Sequence, residues 1–241
     1  MGTSRLGRPA ERSEACSILD LCHTSGMPPP SRTRDLTELI LGYGVIVGVI
    51  WTPERLQRVF SPMVLALTLL VVLAGRTGEG RHDQELGMGW RGLIPSLWIL
   101  PAAVTLAAAS MFVAARIGSL HPLYKADFAH ISGYVLWTIY QQFLLQDYFM
   151  DRLLRLISKE AAAVALAGVL FAAAHLPNLV LTAATLVWGI VSCALFRRYR
   201  NLWALGLAQG LFGLCFAICV PDALHHHLRV GLGYLRYRSG S

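Results

Sequence analysis

Three places in this chain set polar side chains inside apolar stretches. Gln141-Gln142-Phe143-Leu144-Leu145-Gln146-Asp147 interrupts one stretch, and Phe171-Ala172-Ala173-Ala174-His175-Leu176-Pro177-Asn178 ends a second. Ala208-Gln209-Gly210-Leu211-Phe212-Gly213 lies within a third. A polar group left unpartnered in hydrocarbon costs on the order of several kcal/mol, so each of these needs a partner. On a helix Gln142 and Gln146 stand one turn apart, with Gln141, Leu145, Tyr148 and Arg152 on a neighbouring stripe. A carboxamide donates and accepts hydrogen bonds but takes no proton, whereas imidazole titrates near neutrality. Asp147, six positions after Gln141, is turned well away from it on a helix. Of Gln141, His175 and Gln209 only the histidine can therefore take up a proton, and Gln209 has an N–H to donate. The bland account is interhelical glue, each amide or imidazole satisfying a neighbour across a bundle. Against three independent accidents stands the spacing: 34 residues separate 141 from 175, and 34 separate 175 from 209.

These residues must be carried by membrane helices. The chain has 241 residues, 55% of them hydrophobic and 15% charged, with a mean hydropathy of +0.51. A water-soluble exterior needs more polar surface than that, and a lipid-facing one does not. Apolar stretches at about 36–51, 60–75, 92–115, 130–157, 161–175, 178–196 and 202–220 approach the ~20 residues that a spanning helix requires. The expected fold is all-α, a polytopic transmembrane bundle of about seven helices over 36–220. A polar, basic, Pro-rich lead-in at 1–35 reads as disordered, and 221–241 suits an interfacial tail. Cations near the expected helix ends divide unevenly. One side collects Arg32, Arg34, Arg76, Arg81, Arg91, Arg152, Arg155, Lys159, Arg197, Arg198 and Arg200. The other has Arg55, Arg58, Arg116, Lys125, Arg229, Arg236 and Arg238. The richer side, which holds the N-terminus, is expected inside.

Other classes are disfavoured. The net charge of +7 reads as headgroup contact, not nucleic-acid binding, because no compact basic run interleaved with aromatics occurs. Five cysteines without a C-x-x-C pattern indicate neither a zinc site nor a disulfide framework. No secretory signal is present at 1–35, and Leu6 stands where a myristoylation motif wants Ser or Thr. No metal site is assigned. The cofactor is unknown, and a divalent metal at His175, reached by His225-His226-His227 if the tail folds back, is kept only as an option.

In order and spacing the three segments resemble the motifs of the CPBP (CAAX-protease-like) intramembrane proteases, over about 120–220. That family carries Glu-Glu-x-x-x-Arg, then Phe-x-x-x-His, then His-x-x-x-Asn or -Asp. Here Gln141, Gln142 and Gln146 stand at the first motif, Phe171 and His175 keep the second, and Gln209 and Gly213 stand at the third. The resemblance implies catalytic positions at Gln141, Gln142, His175 and Gln209, and substrate-binding positions at Gln146, Phe171, Asn178 and Gly213. It implies an endopeptidase acting on a membrane-anchored or prenylated peptide among membrane lipids, in a bacterial inner membrane. With the catalytic Glu and second His replaced by Gln, the alternative is an inactive pseudoprotease that binds or scaffolds.

Overall fold

A computed structural model describes residues 32–53, 55–57, 59–60, 62–64, 66, 87–124 and 126–237. The 1–31 part of the lead-in and most of the 60–75 and 76–91 segments lie outside the described residues. Among those described, the regular structure is entirely helical. In chain order the helices are α1 (Arg32–Ile50), α2 (Trp90–Ser96), α3 (Ile99–Ile117) and α4 (Phe128–Phe143). A π-helical segment, Leu144–Met150, runs on from α4 into α5 (Asp151–Leu156). Then follow α6 (Glu160–Ala173), α7 (Leu179–Tyr199), α8 (Leu202–Cys219), α9 (Asp222–His225) and α10 (Gly231–Leu235).

Local chemistry fixes several of these boundaries. Asp127, Asn178 and Asn201 cap α4, α7 and α8, each side chain accepting from the backbone N–H three residues on. Gly118, at φ 72°, closes α3 in the left-handed region that favours glycine.

Among the described residues, three helices are long and apolar enough to cross a bilayer: 92–117 (26 residues), α7 (21) and α8 (18). Only 22% of the apolar window in the first two is buried. Their outward faces expose large side chains such as Leu106, Phe112 and Val187, which hydrocarbon accepts and water does not. The chain is a multi-pass membrane protein. Of the other expected spans, α6 has 14 residues. The first of them, α1, starts earlier than the sequence suggested, because Asp35 is 3% exposed and inside the fold.

Small residues set the packing. Alanines 163 and 167 of α6 are fully buried, and its Gly168 lies against Ile190 and Gly189 of α7. On α8, a Cβ at Gly206 would come within 2.6 Å of Ile139, and the Thr138 hydroxyl donates to the Gly206 carbonyl at 3.0 Å. Backbones brought this close let polar groups meet across helices.

Contacts sort the helix ends into two groups. At one end Arg32 donates to the Leu156 carbonyl, Arg152 pairs with Glu38, Arg155 with Asp35, and Arg197 with Glu160. At the other, Ser119 donates to the Cys219 carbonyl, the Gly231 N–H to the Leu176 carbonyl, and Asn178 to the His225 and Arg229 carbonyls. The tail beyond Pro221, expected as an interfacial segment, is thus a folded cap against the α6–α7 turn.

Candidate functional site

A cavity of about 310 Å³ lies among α1, α4, the π segment, α6, α7, α8 and the tail. Its wall is mostly aromatic and aliphatic. Tyr43 and Ile46 come from α1, Tyr134 and Gln141 from α4, Trp188 from α7, Phe212 from α8, and Leu228 and Val230 from the tail. Among the described residues, the lining contains no Asp, Glu, Lys or Arg.

The expected polar residues do converge. Gln146 Nε2 donates to Gln142 Oε1 at 3.0 Å. Gln142 Nε2 donates to Gln209 Oε1 at 2.6 Å, and Gln209 Nε2 donates to Gln141 Oε1 at 2.6 Å. Four amides therefore form one directed chain, running from the buried face of the α4–π helix, across to α8, and back to the cavity wall. Trp188 Nε1 adds a second donor to Gln209 Oε1 at 3.1 Å. Ser192 sits 3.4 Å from Gln142 Nε2 and 3.5 Å from Gln146 Nε2. Buried amides gain most from such mutual satisfaction, since an unpaired one is costly.

The π segment helps make this possible. A wide i→i+5 turn departs from the α stagger just after Gln142, and such turns occur frequently at functional sites. Gln142 and Gln146 meet inside the bundle, while Arg152 emerges to hold Glu38 with Nε at 2.8 Å. Tyr148 donates to the Glu38 carbonyl at 2.7 Å, so α1 is fastened to the helix that carries the amides.

Of the eight expected site residues, Gln141, His175, Gln209, Phe171 and Gly213 line the cavity. Gln142 and Gln146 lie behind the wall, 0% and 1% exposed, and support Gln209 instead of facing the space. Asn178 is fully buried outside it, where it caps α7 and holds the tail. His175 turns Nδ1 back to the Phe171 carbonyl at 2.7 Å, with the Phe171 ring edge-on at 5.0 Å. No direct hydrogen bond joins His175 to any of the glutamines among the described residues; they share the cavity, not a bond.

The sequence reading did not single out Tyr134, Trp188 or Ser192. The last two are one helical turn apart in an apolar run, a spacing that marks a shared face. Tyr134 stands two turns before Gln141 on the same helix face. No group of three or more His, Cys, Asp or Glu residues that could hold a metal ion occurs among the described residues. His225 is 1% exposed and its Nε2 faces the Val220 carbonyl at 2.9 Å, committed to the tail.

The match to a known family covers this region. The model for type II CAAX prenyl endopeptidases, Rce1-like, matches residues 51–215. That range contains all eight expected site residues and extends well before the segment in which the resemblance was legible. No curated protein and no solved structure gives a significant match. On a match over more than half its length, this chain belongs to the Rce1-like family of type II CAAX prenyl endopeptidases.

Proposed function

We propose that this chain binds a membrane-anchored, prenylated peptide in the α1–α4–α6–α7–α8 cavity and holds it without cutting it. The observation that carries this reading is the amide chain itself. At the positions that the motif resemblance gives to the family's base and second histidine stand Gln141 and Gln209, two carboxamides that take no proton, with Gln209 donating to Gln141 at 2.6 Å. Peptide hydrolysis by an activated water needs a proton acceptor next to that water. The apolar wall suits a prenyl chain, and the amides suit a peptide backbone.

One observation favours a second reading, an endopeptidase with an adapted catalytic set. His175 lines the same cavity as Gln209, which places an imidazole and an amide donor around one space. Full-length protein in lipid nanodiscs, incubated with a fluorescent S-farnesyl peptide, separates the two. Saturable binding with no product by mass spectrometry supports the binding protein. Product that disappears in His175→Ala establishes the endopeptidase.

We further propose that the protein sits in a bacterial inner membrane with the Arg152–Arg197 end inside. The cation balance supports this, 11 against 7 when the positions named above are counted. Strong labelling of a cysteine at 199 by an impermeant external reagent would reverse that orientation.

A further inference from the structure

Position 213 has no side chain, yet the space beside it is filled. A Cβ on Gly213 would collide with the Tyr134 hydroxyl. The same face of α8 meets α4 closely lower down, Gly206 against Ile139 and Gly210 against Thr138 and Val135. That approach carries the phenol of Tyr134 across to α8, one turn beyond Gln209. Tyr134 lines the cavity, and its hydroxyl makes no hydrogen bond among the described residues.

Two other cavity residues keep a polar atom in reserve. Gln141 uses Oε1 on Gln209, which leaves its amide N–H groups. His175 faces the Phe171 carbonyl with Nδ1. A carbonyl only accepts, so Nδ1 carries the proton in the neutral ring and Nε2 is left as a lone-pair acceptor. The cavity therefore offers neutral donors at Tyr134 and Gln141 and, besides hydroxyl oxygens such as those of Tyr43 and Thr185, a neutral acceptor at His175. With no Lys or Arg in the lining among the described residues, a carboxylate here would lose its water and gain a counter-charge only if the His175 ring took up a proton; facing the neutral ring it meets the Nε2 lone pair. A carboxamide has the complementary set: a C=O for the phenol and an N–H for the imidazole.

We propose that Tyr134 is a specificity residue of this cavity, donating to the carbonyl of an uncharged amide, so that the site takes lipidated peptides with a neutral carboxamide end in preference to those ending in a free carboxylate. This rests on the reading that the cavity binds a prenylated peptide, and it adds which end chemistry is accepted. Phe in place of Tyr134 keeps the ring and removes the donor. Gly213→Ala keeps the donor and pushes it aside.

The test uses the full chain in nanodiscs at neutral pH, with two S-farnesyl tetrapeptides that differ only in a C-terminal carboxamide or carboxylate. The carboxamide is expected to bind about tenfold tighter, the ratio that corresponds to one well-made hydrogen bond to a buried group. Tyr134→Phe should weaken the carboxamide by about fivefold or more and bring the two peptides within about twofold. Gly213→Ala should do the same, and unchanged melting temperatures would show that neither result comes from misfolding. Equal affinities in the native chain, or a Tyr134→Phe variant that still discriminates, would overturn the role of Tyr134 while leaving the prenyl-peptide reading in place. Failure of both peptides to bind the native chain would overturn both.

Discussion

Gln209 and Gln141 hold each other amide to amide at 2.6 Å, across the interface of α8 and α4. In a chain of an endopeptidase family, this contact joins the two positions to which the motif resemblance assigns proton transfer. It makes this part of the cavity wall an uncharged, hydrogen-bonded pair, and each residue of the chain behind it becomes a place where that pairing can be probed.

Removing the middle of the chain should cost stability. Gln142 is 0% exposed, donates to Gln209 and accepts from Gln146. Gln142→Leu leaves a buried donor and acceptor short of a partner and is expected to destabilise by about 1–3 kcal/mol. Gln142→Leu with Gln146→Leu should cost less than the sum of the single changes, because the second removes a group the first stranded. Thermal unfolding in detergent measures both, and strict additivity would show that the bonds are not coupled.

Restoring the missing chemistry should create activity. The double change Gln141→Glu, Gln209→His puts a proton acceptor and an imidazole on the cavity wall. Cleavage of a farnesylated peptide is expected to rise above that of the native chain. No gain, alongside robust native cleavage, would place the catalytic groups elsewhere.

How α1 is fastened gives a third expectation. Arg152 holds Glu38 through Nε and Nη2, donates from Nη1 to the Tyr148 carbonyl at 2.8 Å, and lies 3.9 Å over the Tyr148 ring. Arg152→Ala strips a half-buried carboxylate of this partner and is expected to cost about 2 kcal/mol, below the full penalty because Glu38 keeps Arg34 and some water. The single change Glu38→Gln and the double change Glu38→Gln, Arg152→Ala complete the set, and the double should recover part of that loss. Denaturant titration of the four proteins closes the cycle, and equal costs for single and double changes would contradict the pairing.

The tail should loosen in acid. Burial pushes the Asp222 carboxyl up, but donation from the Tyr237 hydroxyl and the His227 backbone outweighs it and holds it below the usual carboxylate range. The groups facing it are Tyr237 at 2.7 Å and His227 at 2.7 Å, with His225 farther off at 3.7 Å. A carboxyl with a depressed value stabilises the docked tail above its ordinary range and loses that contribution as pH falls through it. Pepsin should therefore release the tail faster as pH drops below about 4, and Asp222→Asn should release it at a rate with no such step. A native rate independent of pH would remove Asp222 from the docking.

Much of this was legible in the sequence, for identifiable reasons. Hydropathy alone placed α3, α7 and α8, because lipid-facing helices advertise themselves in composition. Gln141, His175 and Gln209, grouped by their order and spacing, line one cavity, although His175 meets the Phe171 carbonyl and not a glutamine. What stayed hidden depends on geometry that periodicity cannot carry. Asn178 read as a ligand-facing residue, and it is a helix cap that reaches two tail carbonyls. Gln142 and Gln146 read as cavity residues, and they stand behind the wall. Tyr134 drew no attention because a tyrosine in an apolar helix is unremarkable until the glycine opposite it is known. The extent of α1 was missed because its charges look like a solvated lead-in until Arg152 and Arg155 arrive from 114 and 120 residues away.

The wide turn at Leu144–Met150 makes α4 and α5 one rod read in two phases. Upstream, its register aims amides at α8; downstream, it aims guanidinium groups at α1. An ordinary helix turns by about 100° per residue, and a π turn takes up one residue more than an α turn. Deleting one residue between 144 and 150 would therefore let the hydrogen bonds close to i→i−4 while Arg152 and Arg155 stay aimed at Glu38 and Asp35. Deleting one residue in the regular helix just after it would swing both guanidinium groups by about 100° and take them off α1. The same change of length is thus absorbed inside the wide turn and unlatches the α1 wall of the cavity immediately beyond it, without altering any side chain that lines the chamber.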